Sequence, residues 1–307
     1  MGTAAVFGST IVDMMARGPH LPTPGETVKG SYFRMGPGGK GFNQCVAAHK
    51  AGCDVTMVGK VGRDALSAVH LGLMEELGMD RSHMIQTDDA PTGTALVAVD
   101  ENTGQNQILI AAGANTTFTR EEVEGCRSLL ERSSHVLLQL EVNQDANEAV
   151  CDLARACGCR VILNPAPSMP LDEGFVSKLW MVTPNEVEAR DLCGVEVRDL
   201  ESGRRAAAWF HDRGVEVVVV TLGSTGVFAS CGGRAEIVPA NRVEAVDTTG
   251  AGDAFNGGLL AALSEGADVW EALRFANALA ALSVQRMGAA VAMPTRAEVD
   301  AFLAEVG

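Results

Sequence analysis

Glu216-Val217-Val218-Val219-Val220-Thr221-Leu222 is β-branched at five consecutive positions and has no polar face. A strand with one face in water alternates apolar and polar residues; a strand covered above and below does not, so this stretch predicts a central strand of a parallel sheet. Working outward, helices are predicted at 186–192 and 202–213 before it and at about 253–264, 269–286 and 296–305 after it. Further upstream, helices at 121–132 and 144–156 alternate with strands at 135–140, 160–163 and 179–183. Alternating helices and strands predict an α/β fold in three layers, with a mainly parallel sheet covered on both sides. The N-terminal third fits less simply. Strands at 4–8 and 54–59 and helices at 42–51 and 64–77 continue the pattern, but 26–35 reads as an exposed hairpin. A second pair, 94–100 and 107–111, is joined by the turn 101–104. Together these predict a small β-sheet lid, built from segments of roughly 12–38 and 91–114, on a single domain spanning 1–307.

The chain has 307 residues, 47% hydrophobic and 21% charged, which excludes a disordered polymer and suffices for a full core. Its formal charge of −15 repels nucleic acid and anionic lipid surfaces, so neither is an expected partner. No basic leader with an apolar core opens the sequence, no apolar run reaches membrane-spanning length, and Val6 stands where Met1-Gly2 myristoylation needs Ser or Thr. The eight cysteines (45, 53, 126, 151, 157, 159, 193, 231) form no CxxC pair, and Cys157-Gly158-Cys159 lacks a second pair for zinc. Buried reduced thiols in a cytoplasmic protein are expected.

Four stretches could carry chemistry. In Asp247-Thr248-Thr249-Gly250-Ala251-Gly252-Asp253, the glycines permit close approach to the N-terminus of the following helix, whose free amides and dipole favour an anion. Asp253 is there either an ordinary N-cap or a base for a hydroxyl beside that anion. Gly36-Pro37-Gly38-Gly39-Lys40-Gly41-Phe42-Asn43 matches G-x-G-x-x-G formally, but it follows a hairpin, and Arg34 and Gly41 break a P-loop. It is a hinge, or a loop in which Lys40 and Asn43 hold a small polyol. Asn185 and Glu188 complete a helix capping box in type, and the same pair could hold a hydrated Mg²⁺. Thr221-Leu222-Gly223-Ser224-Thr225-Gly226, after the buried strand, is a tight strand-to-strand turn or a nucleotide-contacting loop.

Taken in order, these residues resemble the ribokinase branch of the PfkB carbohydrate kinases over essentially the whole chain. The similarity runs through Gly38-Gly39-Lys40-Gly41-Phe42-Asn43-Gln44, Val58-Gly59-Lys60-Val61-Gly62, Pro91 to Ala95, Gly113-Ala114-Asn115, Gln139-Leu140-Glu141, Asn164 to Pro167 and the 247–253 motif. The resemblance implies ATP-dependent phosphorylation of a sugar hydroxymethyl, ribose above all. It implies Asp253 as the base and Gly250, Ala251 and Gly252 as an anion hole. Asp13, Gly39, Lys40, Asn43, Glu141 and Asp253 would hold the sugar, and Asn185, Thr221, Gly223, Gly226, Gly252 and Asn277 the ATP. It further implies Mg²⁺ at Asn185 and Glu188, K⁺ at Asp247, Thr249, Ser283, Arg286 and Gly288, and a homodimer formed through the lid. Two positions depart from the pattern: Ile11 replaces a polar sugar contact, and Ala292 replaces a hydroxyl beside the K⁺ site.

Overall fold

In the computed structural model, which describes residues 3–306, the strands are β1 (Thr3–Phe7), β2 (Ile11–Gly18), β3 (Tyr32–Gly38), β4 (Asp54–Gly62), β5 (Met84–Thr87), β6 (Gly93–Asp100), β7 (Asn106–Ala111), β8 (Ser133–Leu138), β9 (Arg160–Leu163), β10 (Met181–Val182), β11 (Val217–Thr221), β12 (Gly226–Cys231) and β13 (Arg234–Pro239). Met1-Gly2, where the myristoylation reading falls, and Gly307 lie outside the described residues.

Nine strands form one sheet in the order β13-β12-β11-β10-β9-β8-β1-β4-β5. From β11 to β5 the pairings are parallel, and β12 and β13 close one edge antiparallel. The valine run behaves as its composition requires. Val217 and Val219 enter one apolar core with Val6, Leu137 and Ile162, while Val218 and Val220 enter the other with Phe7, Leu138 and Leu163. Each fully buried valine adds about 1.5–3 kcal/mol by leaving water. The helices Lys40–Lys50, Ala251–Ser264 and Val269–Ser283 cover the first core; Gln144–Ala156 and Leu200–His211 cover the second. Three layers result. All eight cysteines are unpaired, and burial pushes the Cys126 thiol up to about 11 and Cys151 up to about 12.

The small sheet has the order β3-β2-β6-β7, with β2 parallel to β6 at its centre. Its first hairpin is therefore not contained in 26–35. β2 begins only three residues after β1, and the connection through residues 19–31 returns the chain to Tyr32. The 121–132 helix is interrupted between Arg120–Glu124 and Arg127–Arg132, at Gly125, a poor helix former. The last long helix stops at Ser283 rather than 286, because the Val284 carbonyl turns back to accept from Val246 and Asp247. Strands β2, β5, β12 and β13 had no assigned counterpart in the sequence reading.

A buried ion pair fixes the segment leading out of the small sheet. Lys60 of β4, 3% exposed, donates through Nζ to both Glu122 oxygens (2.8 and 2.9 Å) and to the Thr117 carbonyl (2.8 Å). Glu122→Ala strands the ammonium and is expected to cost about 3 kcal/mol, read as a lowered urea midpoint. An unchanged midpoint would show that Thr117 and solvent suffice.

Candidate active site

The carboxyl ends of the parallel strands converge, as open α/β sheets arrange their ligand sites. Ser9 follows β1, Gln139 and Glu141 follow β8, Asn164 follows β9, Asn185 follows β10, and Thr221 ends β11. The N-termini of the helices Lys40–Lys50 and Ala251–Ser264 enter between them. A polar cavity of about 210 Å³ results, lined by Lys40, Asn164, Glu188, Thr221, Gly252 and Asp253, among others.

Gly250, at φ 77°, caps the second helix and Asp253 is its third residue, so Asp253 is not the N-cap. Its carboxylate is 8% exposed and accepts from Asn43 Nδ2 and Gln44 Nε2, both at 2.9 Å. Burial pushes it up to about 6; the Lys40 charge and the two amides pull it back, and Glu141 adds to the rise. Gln44 is itself pinned, donating to Asn164 Oδ1 (3.0 Å) and accepting from Gln139 Nε2 (2.7 Å). Asn43 Oδ1 is buried with no partner. Gly257 allows these groups to meet: a Cβ there would lie 2.4 Å from Ala47 Cβ and 2.5 Å from the Gln44 carbonyl.

Glu141 accepts from Ser9 Oγ (2.5 Å) and from the Lys40 amide (2.9 Å). Gly39 caps the Lys40 helix at φ 89°, packed so closely on Ser9 and Ile11 that a Cβ would lie 2.8 Å from the Ile11 nitrogen. Asp13 lies two residues after Ile11 in β2, hence on the same face. Burial pushes Asp13 up to about 6, with Glu141 and Asp253 adding to the rise and Arg34 opposing it. Asp13, Glu141 and Asp253 thus form an acidic cluster at the mouth of the small sheet.

Asn185 and Glu188 form a reciprocal capping box, Glu188 Oε2 accepting from the Asn185 amide (2.9 Å) and Asn185 Oδ1 from the Glu188 amide (2.8 Å). Glu188 still lines the cavity, and burial raises its pKa. The 221–226 stretch is a turn between antiparallel β11 and β12. Gly226, at φ 114°, is required there because a Cβ would lie 2.1 Å from the Val238 carbonyl. Gly223 shares this turn, and Asn277 Nδ2 donates to the Pro239 carbonyl (3.1 Å), tying its helix to β13. Thr221 lines the cavity; Gly223, Gly226 and Asn277 stand beyond its wall.

Asp247 joins two segments, accepting from the Thr249 amide and the Gly288 amide, both at 2.9 Å. Arg286 pairs with Glu298, and Ser283 Oγ donates to the Ala280 carbonyl (2.8 Å). The Ser283 carbonyl accepts from the Arg286 amide (3.2 Å) and the Val284 carbonyl from Val246 and Asp247, and the Ala292 side chain offers no oxygen. The Ala251 amide donates to the Thr248 carbonyl at 3.2 Å, so it is partly engaged. Among the described residues no three His, Cys, Asp or Glu side chains are placed so that they could together hold a metal ion.

Sequence reasoning missed Gln139, Gln44 and Asn164 as the braces of Asp253, and Arg34 as a small-sheet cation beside Asp13. The first three were quoted in motifs, but the hydrogen bonds linking 44 to 139 and 164 are invisible without the sheet order. A model of the "pfkB family carbohydrate kinase" matches residues 1–296. The ribokinase of Haemophilus influenzae is 38% identical over 301 residues, 98% of each chain. The deoxyribokinase of Salmonella typhimurium is 34% identical over 300 residues, 97% of this chain and 98% of its own. The solved ribokinase of Arabidopsis thaliana complexed with ribose and ATP superposes with a TM-score of 0.92 at 31% identity, covering 99% of both chains.

Proposed function

From the premise that the chain belongs to the PfkB carbohydrate kinases, we propose that it transfers the γ-phosphoryl group of ATP to the 5-hydroxyl of D-ribose. The observation that carries this reading is the buried, doubly hydrogen-bonded Asp253 at a glycine-capped helix N-terminus. The Asp253 carboxylate takes the hydroxyl proton as the new O–P bond forms and the bond to the leaving ADP oxygen breaks. Phosphoryl transfer asks mainly for positioning and charge stabilisation. The helix-start amides supply the latter: Gly252 chiefly, and Gly250 and Ala251 within the limit of the Thr248 bond. Lys40 lines the same cavity and offsets phosphate charge. Asp13, Glu141 and the unpartnered Asn43 Oδ1 accept sugar hydroxyls at the Gly39 bend. Thr221 borders the ATP side, while Gly223, Gly226 and Asn277 shape the turn and strand that frame it.

Glu188, with Asn185, fits a hydrated Mg²⁺, since a carboxylate on the cavity wall keeps lone pairs beyond its capping bonds. Such an ion would neutralise phosphate charge. The carbonyls around Thr249, Ser283, Arg286 and Gly288 beside Asp247 fit K⁺, with one oxygen fewer because of Ala292.

The small sheet acts as a lid and dimer face. Phe33, Leu96 and Leu109, each more than half exposed, share the face turned away from Asp13, an apolar patch that a second copy would cover. Leu109→Asp is expected to convert a dimer to monomer in sedimentation; a monomeric parent chain would remove this assignment.

Ile11 favours a second acceptor. It is 3% exposed on the Asp13 face of β2, where an apolar side chain suits a sugar carbon lacking a hydroxyl, as in 2-deoxyribose. ADP release with ribose, 2-deoxyribose, fructose and adenosine, with and without K⁺, decides between them. Ribose preference supports the leading reading. Preference for deoxyribose, reversed about tenfold or more by Ile11→Asn, would establish the second. Silence on all four would refute sugar phosphorylation by this site.

A further inference from the structure

A larger cavity, about 600 Å³, lies at the opposite end of the same strands and has no part in phosphoryl transfer. That size is typical of small-molecule sites. Its walls come from where β8, β9 and β10 begin and where β12 turns into β13: His135, Arg160, Trp180 and Arg234, faced by Leu263 and Trp270. Two of the chain's three tryptophans stand here. Arg160 lies over the Trp180 ring, 4.8 Å from its centroid, and Arg234 over Trp270 at 4.1 Å. A guanidinium stacked on an aromatic face keeps its N–H edge free for a two-pronged bond to carboxylate or phosphate. Arg234 also meets Glu236 at 2.5 Å, and the lining acid Asp268 is turned to its own helix, accepting from the Glu271 amide at 2.8 Å.

His135 completes the wall. It is 4% exposed and its ring lies 5.2 Å from Trp180. Its Nδ1 shares a hydrogen bond with Ser134 Oγ at 3.0 Å, while Nε2 is buried with no partner. Burial and the Arg160 charge hold the imidazole at about 4, neutral at ordinary pH. A buried polar atom without a partner costs about 1–3 kcal/mol until something bonds it.

We propose that this cavity is a second ligand site, for a flat ring bearing one anionic group and one further hydrogen-bonding group. The tryptophan-lined walls take the ring, the Arg160 edge and the Arg234 N–H groups left beyond the Glu236 bond take the anion, and His135 Nε2 takes the hydrogen bond. A nucleoside monophosphate and an aromatic hydroxy acid share this chemistry.

The tryptophans report on it directly. Trp209 lies elsewhere, against Phe210 and Arg213, so Trp209→Phe leaves only the two cavity indoles emitting. In that background, titration with uridine 5′-monophosphate or 4-hydroxybenzoate is expected to quench emission saturably. Quenching by one probe alone assigns the ligand to that class. Affinity should fall at least about tenfold for neutral uridine, and likewise in the Arg160→Gln/Arg234→Gln double variant. Both arginines are exposed, so that variant keeps the fold, checked by circular dichroism. No saturable quenching by either anion up to roughly millimolar concentration, or quenching untouched by the double substitution, would overturn the assignment.

Discussion

Asp253→Asn is expected to lower kcat by about 10²–10⁴-fold, the range a positioned base supplies, while sugar KM moves by less than about tenfold. The substitution keeps the shape but exchanges an acceptor for an NH₂ group. Both neighbours of the carboxylate are donors, Asn43 Nδ2 and Gln44 Nε2 at 2.9 Å, so one of them must turn. Gln44 is held by Gln139 and Asn164, which leaves Asn43 to yield. The pH behaviour provides a second readout. With burial holding Asp253 at about 6, the active enzyme's kcat/KM should fall tenfold per unit as pH drops below 6.

Stability runs the other way. The folded state keeps this proton to higher pH than the unfolded chain, whose carboxyl titrates near 3.8, so folding loses stability as pH rises from about 4 to 6. Asp253→Asn removes that loss, and its urea midpoint relative to the parent should be higher at pH 7.5 than at pH 4. Unchanged turnover in the variant would place the base elsewhere in the acidic cluster.

How far the sequence reached follows from which signals are local. The run of valines at 217–220 declares burial on both faces, and the glycine turn before Asp253 declares a helix start, because each is a property of neighbouring residues. Long-range contacts leave no such trace. β2 escaped because it starts three residues after β1 in another sheet, and β12 and β13 because a short antiparallel edge resembles a decorated turn. Of the two readings of Asn185 and Glu188, the capping box forms, and Glu188 lines the cavity as well. Glycines 223 and 226 were assigned to nucleotide by resemblance, yet the turn geometry of Gly226 already requires it. The braces of Asp253 come from a helix and strand ends, with Gln44 bonded to partners 95 and 120 residues away in sequence, and only the sheet order brings them together.

That dependence makes Gly257, remote from any substrate atom, the second large effect. Its missing side chain lets the helices Lys40–Lys50 and Ala251–Ser264 approach until a Cβ would lie 2.4 Å from Ala47 Cβ and 2.5 Å from the Gln44 carbonyl. Ordinary contact needs about 3.5–4.0 Å, so Gly257→Val must part the helices by at least about an ångström. Asn43 and Gln44 ride on the displaced helix, and an ångström of misplacement at a reacting centre costs about 10²-fold in rate. The same overpacking should cost about 3 kcal/mol of stability. Gly72→Ala separates these effects from a general change of glycine content: its Cβ meets nothing within 4 Å on the helix Ser67–Leu77, and helix propensity alone should raise stability by up to about 1 kcal/mol. If Gly257→Val matched Gly72→Ala in melting temperature and left kcat intact, the close helix approach would not be what sets Asp253 in place. A loss confined to kcat in the graded Gly257→Ala variant, with sugar KM held, would show that one missing methyl positions the base.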